Sequence, residues 1–495
     1  VHNINRIHSF WIQNSSRPSS SIYYIYFYCN TFTFRAAVVK MTIVKRSRKK
    51  ARGRLRSNMK LVIILPIALV VLMVLCVLTI QQIQVKKSTS TSSKKLPNSL
   101  QDAKKKAAMK KTMFEETFGD KSEKKLSQIE QIMHGNVSLI NLQGGLKTFS
   151  HGNKDKLYSV SATFCNLDWD LHKTDPSSYP MNKDLIAKSK YCEKTKFHMD
   201  LFDVVTKLRE FDSKNNNNNS NIHTMEPKGF VFHESRCGST LVANSLAAFE
   251  PEKNRVYSES SPPVTAAKFY NQDHEEVSLQ ILRDTIYVMG RTNDEKEENL
   301  FFKVQSIGVK SIHVFRKAFP QTPWIFVYRD PVQVMKSHLT VKGTTMAVCL
   351  RYKNRPPKDL VDLVHRIGGA DKTADSLNYE EFCAAHLATL CDTAARQAKD
   401  SNGLGKVVNY NNLIESLIHD LIPKHFMGVE SLSEEAQTRI EEVSGHYSKG
   451  RGKKKAVWAE DSQQKEDSAW QEMKDASSMY LQPSYMELEE LQKSQ

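Results

Sequence analysis

The chain has 495 residues, 40% hydrophobic and 25% charged, with 71 Lys/Arg against 54 Asp/Glu. That length and apolar content support one large or two ordinary folded domains and exclude a wholly disordered chain. The net charge of +17 is concentrated: residues 45–60 hold nine Lys/Arg and no acid, and subtracting those nine from 17 leaves +8. The balance therefore does not argue for nucleic acid, which calls for a basic face interleaved with aromatics.

In chain order, the first Met is Met41. Residues 1–40 read as upstream sequence translated in frame or as a cytosolic tail, and 41–60 as a basic cytoplasmic segment. Leu61 to Ile80, LVIILPIALVVLMVLCVLTI, is twenty residues without a charge. About 20 apolar residues span a bilayer. The dense basic run before it, with a sparser set after it (Lys86, Lys87, Lys94, Lys95), puts the N-terminus in the cytoplasm. A cleaved signal peptide is the competitor, but the segment exceeds a usual hydrophobic region and lacks a small-x-small cleavage site. It is read as a transmembrane signal anchor with the bulk of the chain lumenal.

Residues 81–140 are rich in Lys and Ser and read as a flexible stem. Residues 141–226 form an expected N-terminal lumenal subdomain. Leu201, Val205 and Leu208 have helical spacing, and 214–221, KNNNNNSN, is a surface loop. Six of the eight Cys follow the anchor. An oxidising lumen permits disulfides among them, with the pairing open and Cys237 expected free. Asn136-Val-Ser and Asn218-Asn-Ser are glycan acceptor tripeptides if lumenal.

The main domain is expected over 227–480, with a polar tail at 481–495. Short apolar runs predict strands at Phe230–Phe232, Thr285–Met289, Leu300–Val304, Trp324–Tyr328 and Lys406–Val408. Helical spacing predicts helices at Ser239–Phe249, Val309–Phe319, Val332–Leu339 and Phe382–Lys399. The alternation argues an α/β fold with a parallel sheet covered on both sides. Ligands then bind beyond the carboxyl ends of the strands.

Two stretches carry chemistry. The first is Gly229 to Phe249, GFVFHESRCGSTLVANSLAAF: strand, glycine-containing turn, helix start. Glycine lets a backbone approach, and the free N–H groups of a first helical turn point at an anion. The nucleotide-triphosphatase spelling G-x-x-x-x-G-K-[ST] is absent, because no Lys precedes Ser239. The second is Trp324 to Leu339, WIFVYRDPVQVMKSHL, an apolar run ending in Tyr328-Arg329-Asp330-Pro331. Pro331 suits a first helical position. Arg329 offers a planar fork of donors to a phosphate, and Ser337 lies eight residues on.

Together these stretches resemble sulfotransferases that use 3′-phosphoadenosine 5′-phosphosulfate (PAPS), most of all the membrane-anchored Golgi members. Arg236-x-Gly238-Ser239-Thr240-Leu241 is similar to the family's 5′-phosphate loop, and Arg329 with Ser337 to its 3′-phosphate site. Two weaker echoes follow. Asn409-Tyr410-Asn411-Asn412-Leu413 resembles a Tyr-Glu-Asp-Leu element with Asn in place of both acids. Tyr447-Ser-Lys-Gly-Arg-Gly-Lys-Lys-Lys455 resembles the basic loop that closes over the nucleotide, with Lys449 and Arg451 as its binding residues. The resemblance spans roughly 227 to 458.

It implies a P-loop sulfotransferase fold and sulfuryl transfer from PAPS to a hydroxyl acceptor, carbohydrate first and protein tyrosine second, in the Golgi lumen. It also implies no metal, and the charge distribution gives no reason to expect a nucleic-acid partner. The N–H groups from Cys237 to Thr240 and the Ser239 and Thr240 hydroxyls would cradle the 5′-phosphosulfate. Arg236 would stabilise the leaving oxygen. Lys303 fits the family's Lys-x-His, but Gln305 stands where the His would be and takes no proton. Glu259 is the candidate base, with Glu234 and His233 as alternatives. A phosphotransferase or nucleotide hydrolase on the same sheet, or a non-catalytic binding protein, are the rival readings.

Overall fold

The computed structural model describes residues 21–30, 33–42, 126–148, 156–215, 221–369, 371–446, 448–449 and 461–495. The anchor at 61–80, the basic segment at 43–60, the stem as far as residue 125, Asn218 and Arg451 lie outside these residues. No helix among the described residues is long and apolar enough to cross a membrane.

The chain divides into two compact units, 1–121 and 122–495. In the first, β1 (Ser21–Asn30) pairs antiparallel with β2 (Thr33–Thr42).

The second unit starts earlier in the chain than composition suggested. A short helix, Gln128–Met133, opens with a capping box between Ser127 and Glu130 and buries Ile132. The folded body therefore includes the last residues assigned to the stem. An antiparallel sheet follows, β3 (Ser138–Thr148), β4 (Tyr158–Cys165) and β5 (Phe197–Asp200). Helix α1 (Leu201–Asn215) carries the apolar spacing read from the sequence. Leu139, Tyr158 and Leu208 join the same apolar cluster as Phe230, Phe302 and Trp324, so this sheet packs on the main body. Cys165 and Cys192 form a disulfide.

The main sheet has five parallel strands: β6 (Pro227–His233), β7 (Asn254–Ser258), β8 (Asn299–Lys303), β9 (Trp324–Tyr328) and β10 (Gly405–Asn409). Their spatial order is β10-β9-β6-β8-β7. Alternate residues of each strand face opposite sides. Phe230, Phe232, Tyr257, Phe302 and Phe326 enter one core, while Val231, Val256, Phe301, Ile325 and Val327 enter the other. Both faces are covered, as parallel sheets require. Helices α2 (Ser239–Ala248), α3 (Glu275–Met289), α4 (Ile312–Ala318), α5 (Pro331–His338) and α6 (Tyr379–Lys399) supply cover.

Two expectations need correction. The run Thr285–Met289 is the last part of α3, not a strand. Its β-branched residues favour a strand locally, but Leu279, Leu282, Ile286 and Met289 continue one buried helical stripe. The fifth strand is instead Asn254–Ser258. Its polar residues hid it, because each finds a partner inside the fold. Asn254 donates to Leu246 O at 2.8 Å, Arg255 to Arg291 O at 2.8 Å, and Ser258 to Pro180 O at 2.7 Å.

The final residues also differ from a polar tail. Helix α7 (Ser462–Asp467) is followed by α8 (Gln482–Lys493), which buries Leu488. Gln492 Oε1 accepts the Asn409 N–H at 2.7 Å and lies 2.8 Å from the Tyr328 hydroxyl, sealing the β10 edge. A second disulfide, Cys349–Cys383, joins the segment after α5 to α6.

Candidate active site

The turn from β6 into α2 is shaped by left-handed backbone. Ser235 and Arg236 have φ of 84° and 58°, and Gly238 has φ of 86°. Among the described residues only two other non-glycines have positive φ, and one of them is Glu259. Such strain gathers where a site requires it. Gly238 has a second reason to be glycine: a Cβ there would come within 2.3 Å of the Tyr410 ring. The turn aims the first N–H groups of α2, with Ser239 and Thr240, into a cleft of about 420 Å³. Cys237 faces the other way. It is buried and free, and its thiol donates to Val327 O at 3.1 Å, so it offers the site only its backbone.

Arg329 forms the opposite wall. It directly follows β9, and Asp330 caps α5 by accepting the N–H groups of Val332 and Gln333 at 2.9 and 3.0 Å. The Arg329 guanidinium stacks on Tyr410 at 4.2 Å and donates to Gln333 Oε1 at 2.7 Å. Its Nη2 donates to Asp461 Oδ1 at 3.2 Å and to Ser462 Oγ at 2.9 Å. Ser337, two turns into α5, donates its hydroxyl to Gln333 O at 2.9 Å. The Ser337 carbonyl accepts from Arg236 Nε at 3.1 Å, tying the two walls together.

Seven sequence-chosen residues thus line one cleft: Arg236, Gly238, Ser239, Thr240, Arg329, Ser337 and Lys449. Lys336, Tyr410, Asp461 and Lys465 are among its other lining residues and were not chosen. Tyr410 had a signal, in the Asn-Tyr-Asn-Asn-Leu element after β10. Asp461 and Lys465 had none, being ordinary charged residues in a polar stretch.

Glu259 and Lys303 lie beside this cleft and do not line it. Their strands are neighbours, and the Glu259 N–H donates to Lys303 O at 2.7 Å. The Lys303 ammonium, fully buried, is ion-paired with the Glu259 carboxylate. Burial opposes ionisation of Glu259, but Lys303 overrides it and holds the carboxyl at about 2. Gln305 donates to Glu259 O at 3.2 Å, helping to hold its left-handed backbone. Lys449, in the cleft wall, contributes its charge at both Glu259 and His233, which links the two centres electrostatically.

The two alternative bases fare differently. His233 is buried; its Nδ1 accepts the Ser235 N–H at 3.0 Å, which leaves the ring proton on Nε2, 3.7 Å from Glu259 Oε1. Burial, reinforced by Lys303, pushes its pKa to about 3. The ring is neutral, and its buried Nε2 is too far from Glu259 for a hydrogen bond. Glu234 lies beneath the loop. Its Oε1 accepts the Arg329 N–H at 3.0 Å, and its Oε2 the Cys391 thiol at 3.1 Å. Neither oxygen faces the cleft, so Glu234 supports the loop.

No protein-family profile matches this chain, and no curated protein matches its sequence. Among solved structures, one similarity is to the sulfotransferase domain of the Synechococcus PCC 7002 olefin synthase. It shows 14% identity over 52% of this chain and 94% of that chain, with a TM-score of 0.30. Another is to a sulfotransferase from Mycobacterium tuberculosis H37Rv, at 12% identity over 44% of this chain and 71% of that chain, TM-score 0.25. Both similarities are too low to place the chain in a family.

Proposed function

We propose that this protein is a membrane-anchored, lumenal sulfotransferase that moves a sulfuryl group from PAPS to a hydroxyl acceptor, carbohydrate or protein tyrosine. One observation carries the reading: two walls rich in cationic and hydroxyl groups, the β6–α2 turn and the Arg329–Ser337 wall, face one cleft and are joined through Arg236 and Ser337. A donor with separate 5′- and 3′-phosphates needs two such ends. The two disulfides suit an oxidising lumen.

In this reading the α2 N–H groups and the Ser239 and Thr240 hydroxyls hold the 5′-phosphosulfate. Arg329 and Ser337 hold the 3′-phosphate, and Lys449 with Arg451 closes over the nucleotide. The acceptor oxygen attacks sulfur, the bond from sulfur to the 5′-phosphate oxygen breaks, and the nucleotide leaves with that electron pair. Arg236 neutralises the charge that develops on the leaving oxygen. Glu259 takes the acceptor proton. A carboxyl held at about 2 is a weak base, and a base works best near the operating pH. If Lys303 turns toward the leaving oxygen, it releases Glu259 and strengthens it as a base at the step that needs one.

The test is incubation of the full-length protein with radiolabelled PAPS and a mixture of glycans, tyrosine peptides and small hydroxyl compounds. Label in an acceptor is expected. Nucleotide binding without transfer would favour a non-catalytic protein of this fold, and magnesium-dependent triphosphate hydrolysis a phosphotransferase.

A further inference from the structure

The Arg329 wall carries a third basic group that the loop and strand motifs do not include. Helix α7 lies against α5. Gln333 donates to Glu466 Oε1 at 2.6 Å, and Lys336 to Ser468 O at 3.0 Å. This docking brings Asp461 and Lys465 into the cleft. One oxygen, Asp461 Oδ1, accepts from Arg329 Nη2 at 3.2 Å and from Lys465 Nζ at 2.7 Å. Ser462 Oγ stands 2.9 Å from the same Arg329 nitrogen. Two cations therefore converge on a single negatively charged oxygen, and one of them, Arg329, also donates to a hydroxyl.

Such convergence is what a phosphate oxygen requires. Lys465 is mostly buried and crowded by positive charge: burial lowers its pKa, and Arg329 and Arg236 lower it further. Asp461, by contrast, is about half exposed and brings a single charge. A phosphate monoester brings a charge of about −1.5 to −2 on three acceptor oxygens. It satisfies Arg329 and Lys465 more fully than the carboxylate does.

We infer that Lys465 is a ligand of the donor's 3′-phosphate, and that the Asp461 carboxylate occupies this phosphate's place until the nucleotide displaces it. The inference rests on the PAPS reading above. It makes Lys465 a specificity residue, selecting nucleotides with a 3′-phosphate, and Asp461 a competing anion built into the site.

The experiment is calorimetric titration of the full-length protein with two probes, 3′-phosphoadenosine 5′-phosphate and adenosine 5′-monophosphate, which lacks the 3′-phosphate. Lys465→Ala is expected to weaken the first by about tenfold or more and leave the second unchanged. Asp461→Asn keeps the side chain's shape and is expected to tighten the first by about fivefold, again without effect on the second. Equal weakening of both probes by Lys465→Ala, or no weakening, overturns the assignment of Lys465. Unchanged or weaker binding of the bisphosphate in Asp461→Asn overturns the displacement, and it does so even where Lys465→Ala lowers stability. A wild-type protein that binds both probes equally would instead overturn the PAPS reading itself.

Discussion

Glu259 and Lys303 are 44 residues apart in the chain and ion-paired at the carboxyl ends of adjacent parallel strands. The carboxylate is 30% exposed while the ammonium is sealed behind it. In the proposed reaction Glu259 is therefore the member of the pair open to an acceptor. Glu259→Gln is expected to leave nucleotide binding intact and to lower turnover by roughly a hundredfold or more. Unchanged turnover in a PAPS assay would place the base elsewhere.

Arg329 is held by Gln333, Ser462, Asp461 and the Tyr410 ring, with 5% of its surface exposed. That enclosure fixes its fork before a ligand arrives. Arg329→Ala is expected to abolish retention on an immobilised 3′-phosphoadenosine 5′-phosphate resin. Arg329→Lys keeps the charge but loses the planar fork, and is expected to bind at least about tenfold more weakly. Full retention by Arg329→Ala would remove the 3′-phosphate assignment.

Gly238 meets two constraints at once, a φ of 86° and the Tyr410 ring 2.3 Å from any Cβ. Gly238→Ala is expected to cost about 1–3 kcal/mol of stability. Because Tyr410 also stacks on Arg329, its displacement is expected to weaken nucleotide binding as well. Thermal unfolding and titration of the same variant check both effects, and a variant that keeps wild-type affinity would uncouple Tyr410 from the site.

Burial pushes Glu234 up to about 8 from its ordinary value of 4.5. The folded state therefore holds this proton more tightly than the unfolded chain. The stability it contributes is complete below about pH 4.5 and is lost as pH rises through about 8. Glu234→Gln has no proton to lose and can still accept the Arg329 N–H. It is expected to raise the midpoint of thermal unfolding by roughly 2–6 °C at pH 8, with the gain vanishing near pH 4. A gain that stays constant across that range would show that Glu234 does not titrate as its burial requires.

Much of the main sheet was legible because its strands are short apolar runs bounded by turn residues. Phe230–Phe232, Leu300–Val304, Trp324–Tyr328 and Lys406–Val408 fall within or across β6, β8, β9 and β10. The edge strand β7 was not legible. Asn254, Arg255 and Ser258 reach partners on other elements, so its polarity reflects neighbours that a local pattern does not contain. The Thr285–Met289 run misled for the opposite reason: local β-propensity lost to a helix begun ten residues earlier.

The order of residues alone determined the turn between β6 and α2, because glycine geometry and a helix start are local properties. It also determined that Arg329 directly follows a buried strand and that Ser337 lies two turns along the next helix. Tertiary structure alone decided which distant charges meet. Asp461 reaches Arg329 across 132 residues, Cys391 reaches Glu234 across 157, and Lys303 reaches Glu259 across 44. In a parallel sheet each crossover returns the chain to the same edge, so residues far apart in sequence gather at the carboxyl ends of the strands. Spacing along the chain does not record which of them share a carboxylate, and that sharing sets both how weakly Glu259 holds a proton and which acid pairs with Arg329.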